Sequence, residues 1–189
     1  MKYKITNVKV SIKIQEVCSD TVVQKLEKKE IKYTRYQNYI VIQDIFTYII
    51  FKPSCKQKNY ISHVNITKIP LVSNIEKAKT HLIFLIDCDI LTNFAVIDNI
   101  TVSLSIKHNL TPEGISRIFK NICKVTFNKE TFPGIFLKFD CGTAIIFHTG
   151  KCILIGCKNI FDVDLLSTYI IEKLDTRNER FVFTPKQSN

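Results

Sequence analysis

The side chains best suited to acid–base or nucleophilic chemistry lie in this sequence without the spacing that such chemistry needs. The four histidines, His63, His81, His108 and His148, have no metal-ligand spacing, and neither a carboxylate pair nor a glycine-rich phosphate loop accompanies them. Cys152 and Cys157 follow a Gly-Lys turn, but they sit in a strand-like run with no base partner. Seven cysteines are an odd number and none forms a C-x-x-C pair. Neither a disulfide framework nor a zinc site is indicated, and an intracellular, reducing compartment is expected. The residues argue against an enzyme and call for no cofactor and no metal. Charge is the remaining signal. The 27 Lys and Arg exceed the 17 Asp and Glu to give +10, a surplus that favours polyanionic partners.

The 189 residues suffice for one sizeable domain or two small ones sharing a core, and 46% apolar with 23% charged residues is ordinary for a folded soluble protein. The N-terminus lacks a secretory apolar core. The most apolar stretch, Leu82 to Ile97, is broken by Asp87 and Asp89, so no membrane span is expected. The N-x-[ST] triplets at Asn65, Asn99 and Asn109 are read as chance matches.

The elements that must position any binding residues are written twice. Ile5-Thr-Asn-Val-Lys-Val-Ser-Ile-Lys-Ile14 resembles Ile97-Asp-Asn-Ile-Thr-Val-Ser-Leu-Ser-Ile106; Tyr36 to Ile42 parallels Phe132 to Lys138; Thr47 to Phe51 parallels Thr143 to Phe147. The offsets are 92, 96 and 96 residues, which indicates a duplication. The expected organisation is a first repeat over 1–92, a second over 93–175 and a polar, basic tail over 176–189. Each repeat is expected to run strand, short helix, three strands, long helix.

The short helices are signalled by Ser19 or Asp20 before Val22, Val23 and Leu26, and by Thr111-Pro112 before Ile115, Ile118, Phe119 and Ile122. The first long helix is expected to open with a Ser73–Glu76 capping box and to carry Ile75, Leu82, Ile83 and Ile86. The second carries Leu165, Leu166, Tyr169, Ile170 and Leu174. This pattern predicts an α+β fold, with the two halves joined into one antiparallel sheet and helices on one face. Period-two alternation then puts Ile145, Phe147, Ile153 and Ile155 on the uncovered face and turns Ala144, Ile146, Cys152 and Leu154 toward the helices. An uncovered apolar face rimmed by lysines marks a binding surface.

Phe132-Pro-Gly-Ile-Phe-Leu-Lys-Phe, followed by Thr143-Ala-Ile-Ile-Phe-His-Thr-Gly-Lys-Cys-Ile-Leu-Ile-Gly-Cys-Lys158, resembles the Phe-Pro-Gly strand and the Ile-Phe-x-x-Gly-Lys hairpin of the TATA-box-binding protein family. Asp98-Asn99-Ile100, Ile5-Thr-Asn7-Val8 and Glu113-Gly114 support the likeness, which is strong in the second half and weak in the first. The resemblance implies a saddle of two pseudo-symmetric repeats forming one curved sheet, with helices on the convex face. It further implies DNA-intercalating wedges at Phe132 and Phe147 and at Tyr36 and Phe51, both pairs 15 residues apart. Such wedges partly unstack a base step and kink the duplex.

Asn7 and Asn99 fall where the family has its pair of minor-groove asparagines, which donate to adenine N3 and thymine O2. Pro133, Ile145, Ile153 and Ile155 match groove-facing positions, where apolar side chains disfavour the guanine amino group. The first-half equivalents are expected at Ile49, Tyr60 and Ser62. Lys9 and Thr101 stand where the family has valines, placing a charge and a hydroxyl near the groove floor. Phosphate contacts fall on Lys138, Lys151, Lys158, Arg35 and Lys58.

The first-half hairpin, Phe51 to Val64, lacks the family's Gly-Lys, and the family's acidic run before Phe-Pro-Gly is here Asn128-Lys-Glu-Thr131, with Glu130 alone retained. The resemblance thus implies an initiation factor that binds and bends A·T-rich promoter DNA, acting as a monomer on DNA with a dimer open to it in free solution. Its implied partners are a transcription factor IIB-like protein and the RNA polymerase machinery, with no membrane. It would work in a nucleus, or in a cytoplasmic viral factory for a viral member. The alternative is an architectural or protein-binding module of the same fold without TATA specificity.

Overall fold

The structure is a computed structural model that describes residues 3–15, 18–52, 61–91, 95–106 and 110–175. Among these residues are ten strands and four α-helices, in the order strand, helix, four strands, helix, twice over. Each repeat thus has one strand more than the sequence pattern suggests between its helices. The additional strands, Tyr33–Arg35 and Lys124–Thr126, are three residues long, too short to display a period-two signal.

The chain divides into two compact units, Ile5–Thr101 and Met1–Lys4 with Val102–Asn189. The first contains β1 (Lys4–Gln15), α1 (Ser19–Lys28), β2 (Tyr33–Arg35), β3 (Tyr39–Gln43), β4 (Thr47–Phe51), β5 (Ile61–Ile69), α2 (Ile75–Ile86) and the opening of β6 (Val96–Ser105). The division between units therefore falls within β6 and, after Lys4, at the start of β1. The strands lie in the order β2-β3-β4-β5-β1-β6. Alternation sends Val8, Val10, Ile12, Ile14, Ile40, Ile42, Tyr48, Ile50, Val64 and Ile66 to a buried face. Val22 and Leu26 of α1 and Ala78, Leu82, Leu85 and Ile86 of α2 are buried with them. Each buried aliphatic side chain contributes about 1.5–3 kcal/mol of transfer free energy.

Polar contacts fix the helices on the sheet. The Tyr48 hydroxyl donates to the Ala78 carbonyl at 3.0 Å and meets His81 Nδ1 at 2.8 Å. Lys25 Nζ donates to the Ile86 and Asp87 carbonyls at 3.0 and 3.1 Å, supplying donors and positive charge where α2 leaves carbonyls unpaired. The expected Ser73–Glu76 capping box does not form. Ser73 lies in a 3-10 turn over Val72–Asn74, Asn74 takes the N-cap position without a side-chain bond, and Glu76 instead pairs with Lys79 at 3.0 Å. Ile83 is exposed.

The second unit contains the remainder of β6, α3 (Pro112–Phe119), β7 (Lys124–Thr126), β8 (Gly134–Phe139), β9 (Gly142–Phe147), β10 (Lys151–Cys157) and α4 (Ile160–Asp175), with strands ordered β6-β10-β9-β8-β7. Here the expected N-cap is present: Thr111 Oγ1 accepts from Gly114 N at 3.1 Å, with Pro112 following it. Asn159 starts α4 by accepting from Asp162 N at 2.7 Å. Val163, Leu166, Ile170 and Leu174 are buried, as are Ile115 and Phe119 of α3, whereas Leu165 and Ile122 are exposed. Ile135, Leu137, Ala144, Ile146, Cys152 and Leu154 are the buried sheet residues facing them. Tyr3 joins this unit through its hydroxyl, which donates to Asp164 Oδ1 at 2.7 Å.

Candidate nucleic-acid interface

In the second unit, the residues opposite the buried face are half-exposed or exposed, and among the described residues no helix packs on them. Two cross-strand rows lie there. One runs Ile153–Ile145–Phe136–Thr126 and the other Ile155–Thr143–Lys138–Lys124. Ile153, Ile145 and Phe136 make the first a hydrophobic floor, and the second ends in two exposed lysines, Lys138 on β8 and Lys124 on the edge strand β7. Two further rings, Phe132 and Phe147, gather with Phe136 of that floor. Phe132 lies 5.7 Å from Phe147 and 5.1 Å from Phe136, centroid to centroid.

Backbone geometry explains how the rings are aimed. Asn128 organises the turn before β8: its carbonyl accepts from Thr131 N and Phe132 N at 3.2 and 3.0 Å, and its side chain accepts from Glu130 N at 3.1 Å. Gly134, paired with Phe147, leaves room for the Phe132 ring, because a Cβ there would come within 2.7 Å of Phe132 Cε1. Gly150 closes the β9–β10 hairpin at φ 81° and donates to the Phe147 carbonyl at 2.9 Å, a conformation that glycine adopts without strain. Pro133 is exposed beside the cluster. Phe136 and Lys124 belong to this face although neither carries a signal of its own in the sequence; the pairing register places them.

The open face of the first unit is chemically different. Its central row is Ser11–Asn65–Ile49–Val41–Thr34, and its neighbour is Thr67–Thr47–Gln43. Asn65, paired with Ile49, stands where the second unit has Ile153, paired with Ile145; Thr67 corresponds likewise to Ile155. The expectation of Tyr60 and Ser62 at these places is corrected for Ser62, which is 1% exposed on the helix side and pairs with Ile14. The reason is the hairpin, which is eight residues longer here: Phe51 to Asn65 spans 14 positions and Phe147 to Ile153 spans 6. Tyr60 and Lys58 lie outside the described residues.

Tyr36 is exposed and stacks on Tyr39 at 4.6 Å, and Tyr39 lies 5.7 Å from Phe51. Tyr39 pairs with Phe51 as Gly134 pairs with Phe147. A ring thus fills the place that is left empty in the second unit.

Asn7 is held by a β-bulge. Between Val8 and Val10 of β1 the partner strand contributes one extra residue, with Lys68 at φ 61°. Asn7 Oδ1 accepts from Thr67 Oγ1 at 3.1 Å and from Lys68 N at 2.8 Å. With the oxygen so occupied, the amide nitrogen is the end left for a ligand acceptor. Asn99 donates from Nδ2 to Thr101 Oγ1 at 3.1 Å. Lys9 meets Asp98 Oδ2 at 3.6 Å, and Ser11 Oγ donates to the same oxygen at 2.5 Å.

Lys138, Lys151 and Lys158 are exposed, the first on the open face of β8, the second at the start of β10 and the third just after its end. Arg35 is placed differently from expectation. It pairs across from Ile40, a helix-side residue, and bonds Asp20 of α1 at 2.8 Å, so the pleat turns it away from the open face. The thiols that a nucleophilic mechanism would need are unsuited to it. Burial pushes Cys152 up to about 12, and burial, then the neighbouring Cys141 and Asp162, pushes Cys157 up to about 11. Among the described residues, no group of three or more His, Cys, Asp or Glu could hold a metal ion, and no helix is long and apolar enough to cross a membrane.

The family model described as Transcription factor TFIID (or TATA-binding protein, TBP) matches residues 95–176. TATA-box-binding proteins of Pyrococcus abyssi and Pyrodictium occultum are 33% identical over 91 residues and 30% over 94, covering 47% and 49% of this chain. The matched region spans about half the length of these relatives, 46% of each. Among solved structures, Methanococcus jannaschii TBP superposes with a TM-score of 0.73 over 93% of this chain and 99% of its own, at 19% identity. That likeness establishes the fold.

Proposed function

We propose, from the premise that residues 95–176 belong to the TATA-binding protein family and that the chain has that family's fold, that this protein binds A·T-rich duplex DNA through the minor groove, bends it and serves transcription initiation. One observation carries the reading: Phe132 and Phe147 cluster with Phe136 beside Ile145, Ile153 and Ile155 on a sheet face that no helix covers among the described residues and that Lys138, Lys151 and Lys124 edge. An apolar floor has no acceptor for the guanine amino group and tolerates the acceptor-only A·T edge. Aromatic wedges kink the duplex so that it covers more protein, an arrangement for which the TATA-binding protein family is the standard example. The lysines add affinity without sequence information. Glu130, exposed on the turn before Phe132, is the residue we assign to a transcription factor IIB-like partner. The protein acts on DNA as a monomer.

The test is an end-to-end fluorescence bending assay on duplexes with and without a TATA element. Wild type is expected to bend the TATA duplex preferentially. Phe132→Ala with Phe147→Ala should abolish most of the bend while leaving the circular dichroism and melting curve of a folded protein. Equal affinity for every sequence would favour an architectural role. Loss of folding in the double variant would show that the rings are core.

A further inference from the structure

The two open faces differ in one respect that bears on sequence choice. In the second unit the residues over the groove floor, Ile153, Ile145 and Phe136, offer no hydrogen-bond acceptor. In the first unit the corresponding row, Asn65–Ile49–Val41, continues through Ser11 to a carboxylate on β6. Asp98 reaches the β1 face through Oδ2, which accepts from Ser11 Oγ and faces Lys9 Nζ at 3.6 Å. Ser11 itself lies in the open row beside Asn65, whose Oδ1 is 2.9 Å from Ser11 Oγ. The hydroxyl has one hydrogen for two acceptors, and the carboxylate is at the shorter distance. The Asp98 side chain is 30% exposed, and its Oδ1 takes part in none of these contacts.

An A·T or T·A pair offers the minor groove only acceptors, whereas guanine adds one donor, its N2 amino group. A carboxylate pressed against A·T edges would be desolvated without a donor for its second oxygen, and a desolvated, unpaired acceptor is costly. Against guanine the same oxygen gains a charge-assisted hydrogen bond. Lys9 offsets the negative charge locally, so the carboxylate does not repel the phosphates. Resting on the minor-groove reading above, we infer that Asp98 makes this protein select a minor-groove amino group, normally guanine, at one position of its site, beneath the first unit. The second unit's side of the site stays A·T. The recognised element is therefore asymmetric, and the asymmetry orients the protein on DNA.

The experiment uses the full chain. Duplexes selected from a randomised pool define the site, which is then probed with two base analogues. Inosine removes the N2 amino group from guanine; 2,6-diaminopurine adds one to adenine. Wild type should enrich guanine at one position on one side, lose about tenfold in affinity with inosine there, and gain about tenfold when diaminopurine replaces adenine there. Asp98→Ala should show neither response and should bind the all-A·T duplex at least as well as wild type. Binding by wild type with A·T enriched at every position, or analogue responses unchanged in Asp98→Ala, overturns the inference and leaves the minor-groove reading standing. Failure of wild type to bind any duplex at low salt sinks both.

Discussion

Replacing Gly134 with alanine presses a methyl group into the aromatic cluster of the second unit. Built on the observed backbone, the new Cβ lies 2.7 Å from Phe132 Cε1, 2.9 Å from Ile145 Cγ2 and 3.2 Å from Phe147 Cε1, where carbon atoms ordinarily rest at roughly 3.5–4.0 Å. Gly134 sits in regular β8 pairing and is absent from the positive-φ glycines, so the cost is steric and not conformational. Overpacking costs about 1–3 kcal/mol when neighbours cannot move. Here two of the three neighbours are tips of half-buried rings that can swing toward solvent, so the low end applies. About 1 kcal/mol corresponds to a loss of roughly 2–4 °C in melting temperature for a chain of this size. The effect on DNA is expected to be larger than the effect on stability, because Phe132 is displaced by about an ångström from the position that aims it. Bend angle should fall sharply, while salt-sensitive binding through the lysines persists. Melting curves and end-to-end fluorescence on the same preparation decide it. An unchanged bend together with the expected melting shift refutes the assignment of Phe132 as a wedge. A collapse of the fold refutes the claim that the ring is free to move.

Two further outcomes follow from other parts of the site and core. Asn7→Ala removes the acceptor that ties Thr67 Oγ1 and Lys68 N, and should cost about 1–2 kcal/mol in urea unfolding. It should also relax A·T preference in a binding selection, whereas Lys151→Ala should weaken all duplexes alike and reduce the salt slope by about 1; the same profile from both variants would contradict the Asn7 assignment. In alkaline solution, Cys152 keeps its proton in the folded state up to about 12, against an ordinary value of 9.0. The stability this contributes is complete below the unfolded value and is lost as pH rises from about 9 toward 12, with Cys88, Cys157 and Tyr3 shifted in the same direction. Urea midpoints should therefore fall across that window, and Cys152→Ala should flatten the slope at the expense of a small cavity. A midpoint that rises with pH would be the contrary result.

What the sequence determined by itself is local and periodic. The duplication was visible because corresponding strands repeat at nearly constant offsets. The Thr111–Gly114 cap was visible because its chemistry is contained within four residues. Alternation alone separated Ile145, Phe147, Ile153 and Ile155 from Ala144, Ile146, Cys152 and Leu154, and the structure places them on opposite faces in that way. Tertiary structure decided what depends on register between distant segments. A hairpin lengthened by eight residues carries Asn65 and Thr67 into the places of Ile153 and Ile155 and leaves Ser62 on the helix side, a shift that sequence spacing cannot reveal. Arg35 looks like a free rim cation until pairing with Ile40 turns it to Asp20. Tyr39, Phe136 and Lys124 join the open faces only when their strands pair with β4, β9 and β8. The meeting of Asp98 with Ser11, 87 residues apart, needs β1 and β6 side by side. Period and capping act over a few residues along the chain, whereas a binding face is assembled across strands, where one residue of slip exchanges its two sides.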